Sequence, residues 1–187
     1  FLRDLAEHSR APALKEVAEL KAIAAEDGIE DLKPWDSTYY SEKLKVQQFN
    51  LSQEALKPYF PAPKILQGLF SIVNRLYGIQ IVEREAPVWH SDARYFELED
   101  QGVVVGGFYF DLYARQGKRG GAWMSGFRSR TQTTHGLQKP ICYMVCNFTP
   151  PVGDQAALLT HDEVITLFHE FGPVSYTHLT LPTSDLV

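Results

Sequence analysis

The sequence predicts an α+β fold that is mostly helical, with a small antiparallel sheet just before a final helix. Apolar residues recur at the helical period in roughly the first 78 residues and again after residue 160. Between these regions they tend to alternate, as they do in strands with one buried face. Of the 187 residues, 44% are hydrophobic and 22% are charged, which is ordinary for a globular protein.

The first part of the chain predicts three amphipathic segments. Residues 13–27 place apolar side chains on one helical face and charges away from it. Asp36 is a suitable N-cap for the next helix, in which Tyr40 and Leu44 form an inward pair four residues apart. Residues 63–77 begin with proline and carry a broad apolar stripe, so we expect a well-buried helix there.

The middle of the chain predicts an antiparallel hairpin. Residues 79–85 and 94–99 show the alternation of strands, and a short turn leads into the β-rich run 103–115. Gly106 and Gly107 inside that run indicate a bulge or a close approach of backbone.

A second strand follows a polar region. Residues 125–139 have no periodicity and predict a loop, whereas ICYMVCNF at 141–148 predicts a strand. Cys142 and Cys146 share one face of that strand about 13 Å apart, too far for a disulfide. Reduced structural thiols fit a cytoplasmic protein.

The last predicted helix has a well-defined start. Thr160 and Glu163 form a capping box, so the helix begins at about His161. One apolar stripe follows at helical spacing and must pack inward. Its members are Val164, Leu167, Phe168 and Phe171.

The opposite face of this helix carries His169, with Glu170 on its flank. These are the first two residues of H-E-x-x-H, in which two histidines one turn apart bind Zn²⁺ and the glutamate acts as general base. The fifth position is Pro173, which offers no ligand atom and is poorly tolerated inside a helix. We therefore expect the motif and the helix to stop together. Without the second histidine, a His-Glu pair is more often a solvated helix face.

Six segments together resemble the thimet oligopeptidase and oligopeptidase A family of zinc metallopeptidases. They are PWDSTYYSEKLK (34–45), LKPYFP (56–61), VWHSDARYFEL (88–98), FYFDLYARQGKRGGAWM (108–124), VCNFTPPVG (145–153) and LLTHDEVITLFHEFG (158–172).

The resemblance covers about residues 1–172 and implies part of a larger zincin-like catalytic domain. In the family the motif continues as H-E-F-G-H, with a further glutamate ligand and a long C-terminal part. Residues 173–187 do not resemble it, and we expect them to be a non-native tail. The alternative is a divergent native tail, in which His178 could act as a surrogate ligand.

The function implied by the resemblance is a zinc-dependent metalloendopeptidase that hydrolyses short peptides, with one Zn²⁺ per intact domain. His169 would be a metal ligand and Glu170 the catalytic base. The run Gly120, Gly121, Ala122 and Trp123 is the candidate strand edge for the substrate backbone. Since Pro173 replaces the second ligand and the third is absent, we expect this chain itself to be inactive.

Other readings are weaker. A non-catalytic peptide-binding or interaction module remains the alternative, and a genuine Pro173 would favour it. The turn KRGG lacks the spacing of a nucleotide loop, and a flexible solvated turn is its simpler interpretation. His90, His135 and His161 have no ligand-like partners at suitable spacing.

Charge and composition argue against two classes of partner, nucleic acids and membranes. A net charge of −5 argues against a general nucleic-acid surface. No apolar run reaches the roughly 20 residues of a membrane span, so we expect a cytoplasmic protein.

Overall fold

The computed structural model describes residues 1–50 and 52–179, which divide into two compact units. The first unit is Phe1–Leu56 and is helical. Its helices are α1 (Leu2–Glu26), α2 (Ser37–Phe49) and the single turn α3 (Gln53–Leu56), with a 3₁₀ turn at Pro34–Asp36. Helix α1 begins at Leu2 rather than near residue 13, and it accommodates Pro12.

A small apolar cluster holds the first unit together. Ile23 and Ala24 of α1 are buried against Tyr40 of α2, with Leu44 packed at the margin. The predicted inward pair in α2 is therefore confirmed. Lys43 adds an ion pair to Asp27, at 2.6 Å between Nζ and the carboxylate oxygen.

The second unit begins at Lys57 and contains the predicted buried helix. Helix α4 (Ala62–Tyr77) has Pro63 in its first turn and ends at Gly78, whose φ of 73° is the left-handed conformation that glycine adopts without strain. Leu66, Leu69 and Val73 are the residues that it buries deepest beyond its first turn.

Five strands form the main sheet in the order β1-β2-β3-β7-β4. They are β1 (Gln80–Arg84), β2 (Arg94–Asp100), β3 (Val103–Tyr113), β4 (Trp123–Arg128) and β7 (Ile141–Phe148). The pair β3 and β7 is parallel and the other pairs are antiparallel, so the sheet is mixed rather than wholly antiparallel. After β3 the chain crosses to a position two strands away and forms β4 there. The later strand β7 occupies the position between β3 and β4, where it runs parallel to β3.

The hairpin β2–β3 confirms both expectations for its glycines. The register shifts between Leu98 and Glu99, which pair with Gly106 and Val104, so β3 bulges beside Gly106. The phenol ring of Tyr95 lies over Gly107, and a methyl group there would collide with it. Glycine at this position lets the ring and the backbone approach closely, and any larger residue would require the Tyr95 ring to shift.

The prediction of a loop over 125–139 is wrong. Most of this segment is extended: β4 forms an edge of the sheet, and β5 (Thr131–Thr133) pairs with β6 (Gly136–Gln138) in a separate hairpin. Apart from Gln138, residues 125–138 are exposed, so no apolar alternation marks the strands in the sequence.

Helix α5 (His161–Leu179) also corrects a prediction, because it continues through Pro173. Val174 is completely buried, and it extends the inward stripe formed by Leu167 and Phe171. Burial on both sides of the proline therefore keeps the helix intact, although Pro173 has no N–H for the carbonyl of His169. Residues 180–187 lie outside the described part, as does the side chain of His178.

The main core lies between one face of the sheet and helices α4 and α5. Phe96, Phe108 and Phe110 fill its centre, and Phe171 of α5 meets Phe108 edge-on at 5.5 Å between ring centres. The predicted α+β class is confirmed. Among the described helices, none combines the length and apolar character that a membrane span requires.

Candidate active site

The start of α5 is fixed by the predicted capping box. The Thr160 N–H donates to Glu163 at 2.8 Å, and the Glu163 N–H donates to the Thr160 hydroxyl at 3.1 Å. Glu163 also accepts the N–H of Thr149 at 3.2 Å, one residue beyond β7. Strand and helix are thereby held together at the point where the candidate site begins.

The two faces of α5 differ as the sequence predicts. Leu167 and Phe171 are buried in the core, whereas His169 is exposed. Glu170 is partly buried, and its charge adds to the burial that raises the pKa of the Cys146 thiol in β7. His169 and Glu170 thus project from a helix whose other face cannot move without disrupting the core.

The described side chains do not complete a zinc site. No group of three His, Cys, Asp or Glu side chains comes together within the described ranges. Pro173 has no ligand atom one turn after His169, and a catalytic zinc needs three protein ligands. Within the described part of the chain, His169 and Glu170 therefore supply only part of the donor set that the implied zinc requires.

Three other histidines, His90, His135 and His161, have local surroundings of their own. The ring nitrogen Nδ1 of His90 accepts the N–H of Asp92 at 3.2 Å, which closes a local turn. His135 lies in the turn between β5 and β6, and the ring of His161 packs beside Phe60, with 6.1 Å between ring centres.

The candidate peptide-binding run lies at the edge of the sheet. Trp123 begins β4, whereas Gly120, Gly121 and Ala122 precede the strand. Strand β4 is the last in the sheet order and also contacts α5. Among the described residues, only β7 pairs with it, so its other side has no strand partner there.

The crossover between β3 and β4, residues 114–122, is held in place and is not a flexible turn. Lys118 donates from Nζ to the Asp111 carboxylate at 2.9 Å and to the Tyr113 carbonyl at 2.8 Å. The side-chain amide of Asn147 in β7 donates to the carbonyl oxygens of Arg119 and Gly121 at 2.8 and 2.7 Å. Neither interaction was predicted, although a lone aspartate inside an apolar strand signals a buried partner.

Asp111 is the centre of this arrangement. Its side chain is only 4% exposed. The carboxylate accepts two hydrogen bonds from the Arg115 guanidinium at 2.6 and 2.8 Å, one from Lys118 Nζ, and one from the indole N–H of Trp89 at 2.9 Å. Burial raises the pKa of the Asp111 carboxyl. Hydrogen bonds from Arg115, Lys118 and Trp89 together lower it by more than burial raises it, so the pKa lies well below the usual range.

An open pocket of about 320 Å³ lies beside the Asp111 cluster on the sheet face opposite α5. Trp89, Trp123 and Tyr143 form its aromatic walls, and Val145 contributes its aliphatic surface.

Comparison with known proteins identifies the family of the chain. The sequence pattern described as Peptidase family M3 matches residues 1–180. The chain is similar to oligopeptidase A of Escherichia coli (strain K12), with 53% identity over 176 residues, covering 92% of this chain and 26% of the relative. It is also similar to oligopeptidase A of Haemophilus influenzae, with 44% identity over 191 residues, covering 100% and 28%.

A third relative is dipeptidyl carboxypeptidase of Escherichia coli (strain K12), with 41% identity over 176 residues, covering 92% of this chain and 26% of the relative. The chain thus spans about a quarter of the length of the curated relatives that it matches. A family pattern that covers nearly the whole chain, together with relatives of this identity, shows that the chain belongs to peptidase family M3.

Proposed function

We propose that the protein of which this chain forms part is a zinc-dependent metalloendopeptidase that acts on short peptides. The observation that carries the proposal is the pair of exposed His169 and partly buried Glu170 on α5, a helix whose other face is packed into the core. In this proposal His169 is one metal ligand and Glu170 the general base that takes a proton from the attacking water. The second ligand belongs at position 173, where this chain has proline, and the third ligand comes from another part of the whole protein.

The sheet edge beside α5 supports a peptide as the substrate. A peptide can add to the open side of β4 through main-chain hydrogen bonds, beginning near Gly120, Gly121, Ala122 and Trp123. Glycine before the strand lets the peptide backbone come close. The matched relatives are named as oligopeptidases and a carboxypeptidase, which is consistent with this class of substrate.

Within the proposal, residues 1–172 are part of the catalytic domain and residues 173–187 are a non-native tail. This chain alone is inactive, since it supplies one metal ligand where a catalytic zinc uses three. The protein resides in the cytoplasm, where the two buried free thiols, Cys142 and Cys146, stay reduced.

One specific observation favours a second candidate, a non-catalytic peptide-binding module. Pro173 stands where the second ligand is needed, and the described residues contain no group of three possible ligands. The open edge of β4 would then bind peptides without cleaving them.

The first test is a sequencing read of the source DNA across the codons from Gly172 onward. A histidine codon at 173, followed by an extended reading frame, is the expected result for the peptidase. A genuine Pro173 with the same ending favours the binding module.

The second test uses the full-length protein encoded by that DNA, with a quenched peptide substrate and bound zinc measured by mass spectrometry. His169→Ala is expected to lose both zinc and cleavage. Glu170→Gln is expected to keep zinc and lose about 100-fold or more in kcat, the typical contribution of a general base. His135→Ala and Asp162→Asn are the matched controls and should change neither.

Two results would refute the peptidase proposal. One is full cleavage by Glu170→Gln, and the other is cleavage that survives complete removal of zinc by a chelator. Zinc-dependent cleavage by the 187-residue chain itself would refute its proposed inactivity.

A further inference from the structure

Because β7 lies between β3 and β4 in the sheet, the crossover 114–122 passes the C-terminal end of β7 before it reaches β4. Strand β3 ends at Tyr113, which pairs with Phe148, the last residue of β7. The N–H of Ala114 then donates to the Phe148 carbonyl at 2.9 Å, so the crossover begins in contact with that strand end. The interactions that hold the crossover in place therefore also determine where β4 begins.

The first half of the crossover is pinned to β3. Lys118 turns back, and its Nζ donates to the Asp111 carboxylate and to two carbonyl oxygens, those of Asp111 and Tyr113, at 2.8 to 2.9 Å. Its side chain is 5% exposed, so the ammonium group has exchanged its hydration for these three acceptors.

The second half is pinned to β7 by one side chain. Asn147 has two amide hydrogens, and both are used, one on the Arg119 carbonyl and one on the Gly121 carbonyl. Gly121 has a φ of 96°, a conformation that residues with side chains rarely adopt. The amide therefore holds the chain in a special turn immediately before Ala122 and Trp123.

We infer that Asn147 is a positioning residue for peptide binding: it sets the start of edge strand β4 so that its open side presents a fixed row of backbone donors and acceptors. The inference rests on the proposed use of this edge for peptides. Asn147 touches no peptide in this scheme and acts through the turn. Holding the turn in advance avoids the entropy cost of ordering it when the peptide arrives.

The test uses the full-length protein and the variants Asn147→Ala and Asn147→Asp. Alanine removes both donors, and aspartate replaces them with acceptors that face the two carbonyl oxygens. Asn74→Ala is the matched control, because its amide also donates to a backbone carbonyl, that of Ile79 at 3.3 Å, in the turn between α4 and β1.

Two measurements are made independently of cleavage. Hydrogen exchange reports the amides of residues 119–124, and fluorescence titration gives Kd for a peptide analogue with a reduced, uncleavable bond. Both Asn147 variants are expected to speed exchange in this segment and to raise Kd by about tenfold, the size expected for one to two net hydrogen bonds. Asn74→Ala should change neither quantity.

Cleavage kinetics separate a positioning role from a purely structural one. The inference predicts that KM rises by about the same factor while kcat stays within about twofold, because the turn acts on binding rather than on chemistry. A fall in kcat with unchanged KM would mean loss of folded enzyme and would overturn the inference. Unchanged exchange or unchanged Kd in the Asn147 variants would overturn it as well.

The outcomes for the wild-type protein distinguish this inference from the proposed function. If the wild type binds the analogue but cleaves no peptide, the peptidase proposal fails and the binding data still decide the role of Asn147. If the wild type does not bind the analogue at all, the use of the β4 edge and the role of Asn147 both fail.

Discussion

Asp111 shows how one residue can organise a stretch of chain that the sequence marks only as polar. A carboxylate inside an apolar strand would be costly to bury, but four hydrogen bonds from Arg115, Lys118 and Trp89 compensate it. The same bonds hold the crossover that leads to the sheet edge. The cluster therefore contributes to the geometry of the candidate site from the opposite face of the sheet.

Replacing Asp111 by asparagine should destabilise the chain by about 3–5 kcal/mol, because the buried ammonium group of Lys118 loses its counter-charge. The measurement is the free energy of unfolding in urea. Asp100→Asn, at the exposed end of β2, is the control and should change little. A loss of less than about 1 kcal/mol would contradict the ion-pair account.

The lowered pKa of Asp111 also predicts how stability depends on pH. The stabilisation is fully present above about pH 4, where aspartate ionises in an unfolded chain, and is lost as the pH falls towards the lower folded-state pKa. In the wild type, the urea concentration at the unfolding midpoint should therefore decrease as the pH is lowered below 4. The decrease should be less steep in Asp111→Asn.

The thiols of Cys142 and Cys146 should be unreactive in the folded chain. Both side chains are completely buried, and burial raises the pKa of each thiol to about 12. We expect no labelling by an aromatic disulfide reagent at pH 8 before unfolding, and two equivalents after urea is added. Rapid labelling of the native chain would contradict this burial.

At the scale of residues, the sequence was informative where the rule is local. The capping box of Thr160 and Glu163 follows from a three-residue spacing, and the exposure of His169 follows from helical periodicity. The roles of Asp111 and Asn147 depend on partners brought together by the crossover, and no local pattern contains that information.

Helix α5 is the element on which sequence and structure differ most usefully. Proline was expected to end it, since a helix-interior proline costs roughly 3 kcal/mol. Val174 lies beyond the proline and is completely buried, and its contacts offset part of that cost. Tertiary packing has overridden a local rule.

Replacing Pro173 by alanine should stabilise the chain by about 2 kcal/mol, because the helix regains a hydrogen bond to the His169 carbonyl, and the added freedom of the unfolded chain offsets only part of that gain. Pro63→Ala is the control, because Pro63 lies in the first turn of α4, where no such bond is lost. Urea unfolding provides the comparison. Equal or lower stability of Pro173→Ala would show that the proline is not strained.

Some strands, like some helices, follow local sequence rules, and others do not. The hairpin β2–β3 was predicted because alternation, a glycine turn and internal glycines all agree. Strand β4 was missed because most of its residues are exposed, and the parallel pairing of β3 with β7 was missed because alternation does not reveal strand order.

At the scale of the whole molecule, the chain spans about a quarter of its relatives and exposes many large apolar side chains. Within the first unit these include Trp35 and Phe49, at 77% and 71% exposed. Within the second they include Tyr59 and Phe127, at 70% and 60%. Such surfaces are typical of chains that bury them against further structure.

The 187-residue chain should therefore self-associate when it is produced alone. We expect light scattering to give a mass above the 21.2 kDa of one chain at micromolar concentration, and we expect a hydrophobic dye to bind. The full-length protein is the control and should bind less dye per molecule. A monodisperse single chain without dye binding would contradict this expectation.

The position of β7 has a consequence for how the chain is built during synthesis. Strand β4 emerges from the ribosome before β7, its partner in the described sheet, so it has nothing to pair with until residue 148 has been made. Parallel pairing of β3 with β7 joins segments far apart along the chain, and such contacts form late in folding. Insertion of β7 is then the step that closes the main sheet, and a nascent chain halted before Ile141 would hold only the β1-β2-β3 meander of that sheet, besides the separate β5–β6 hairpin.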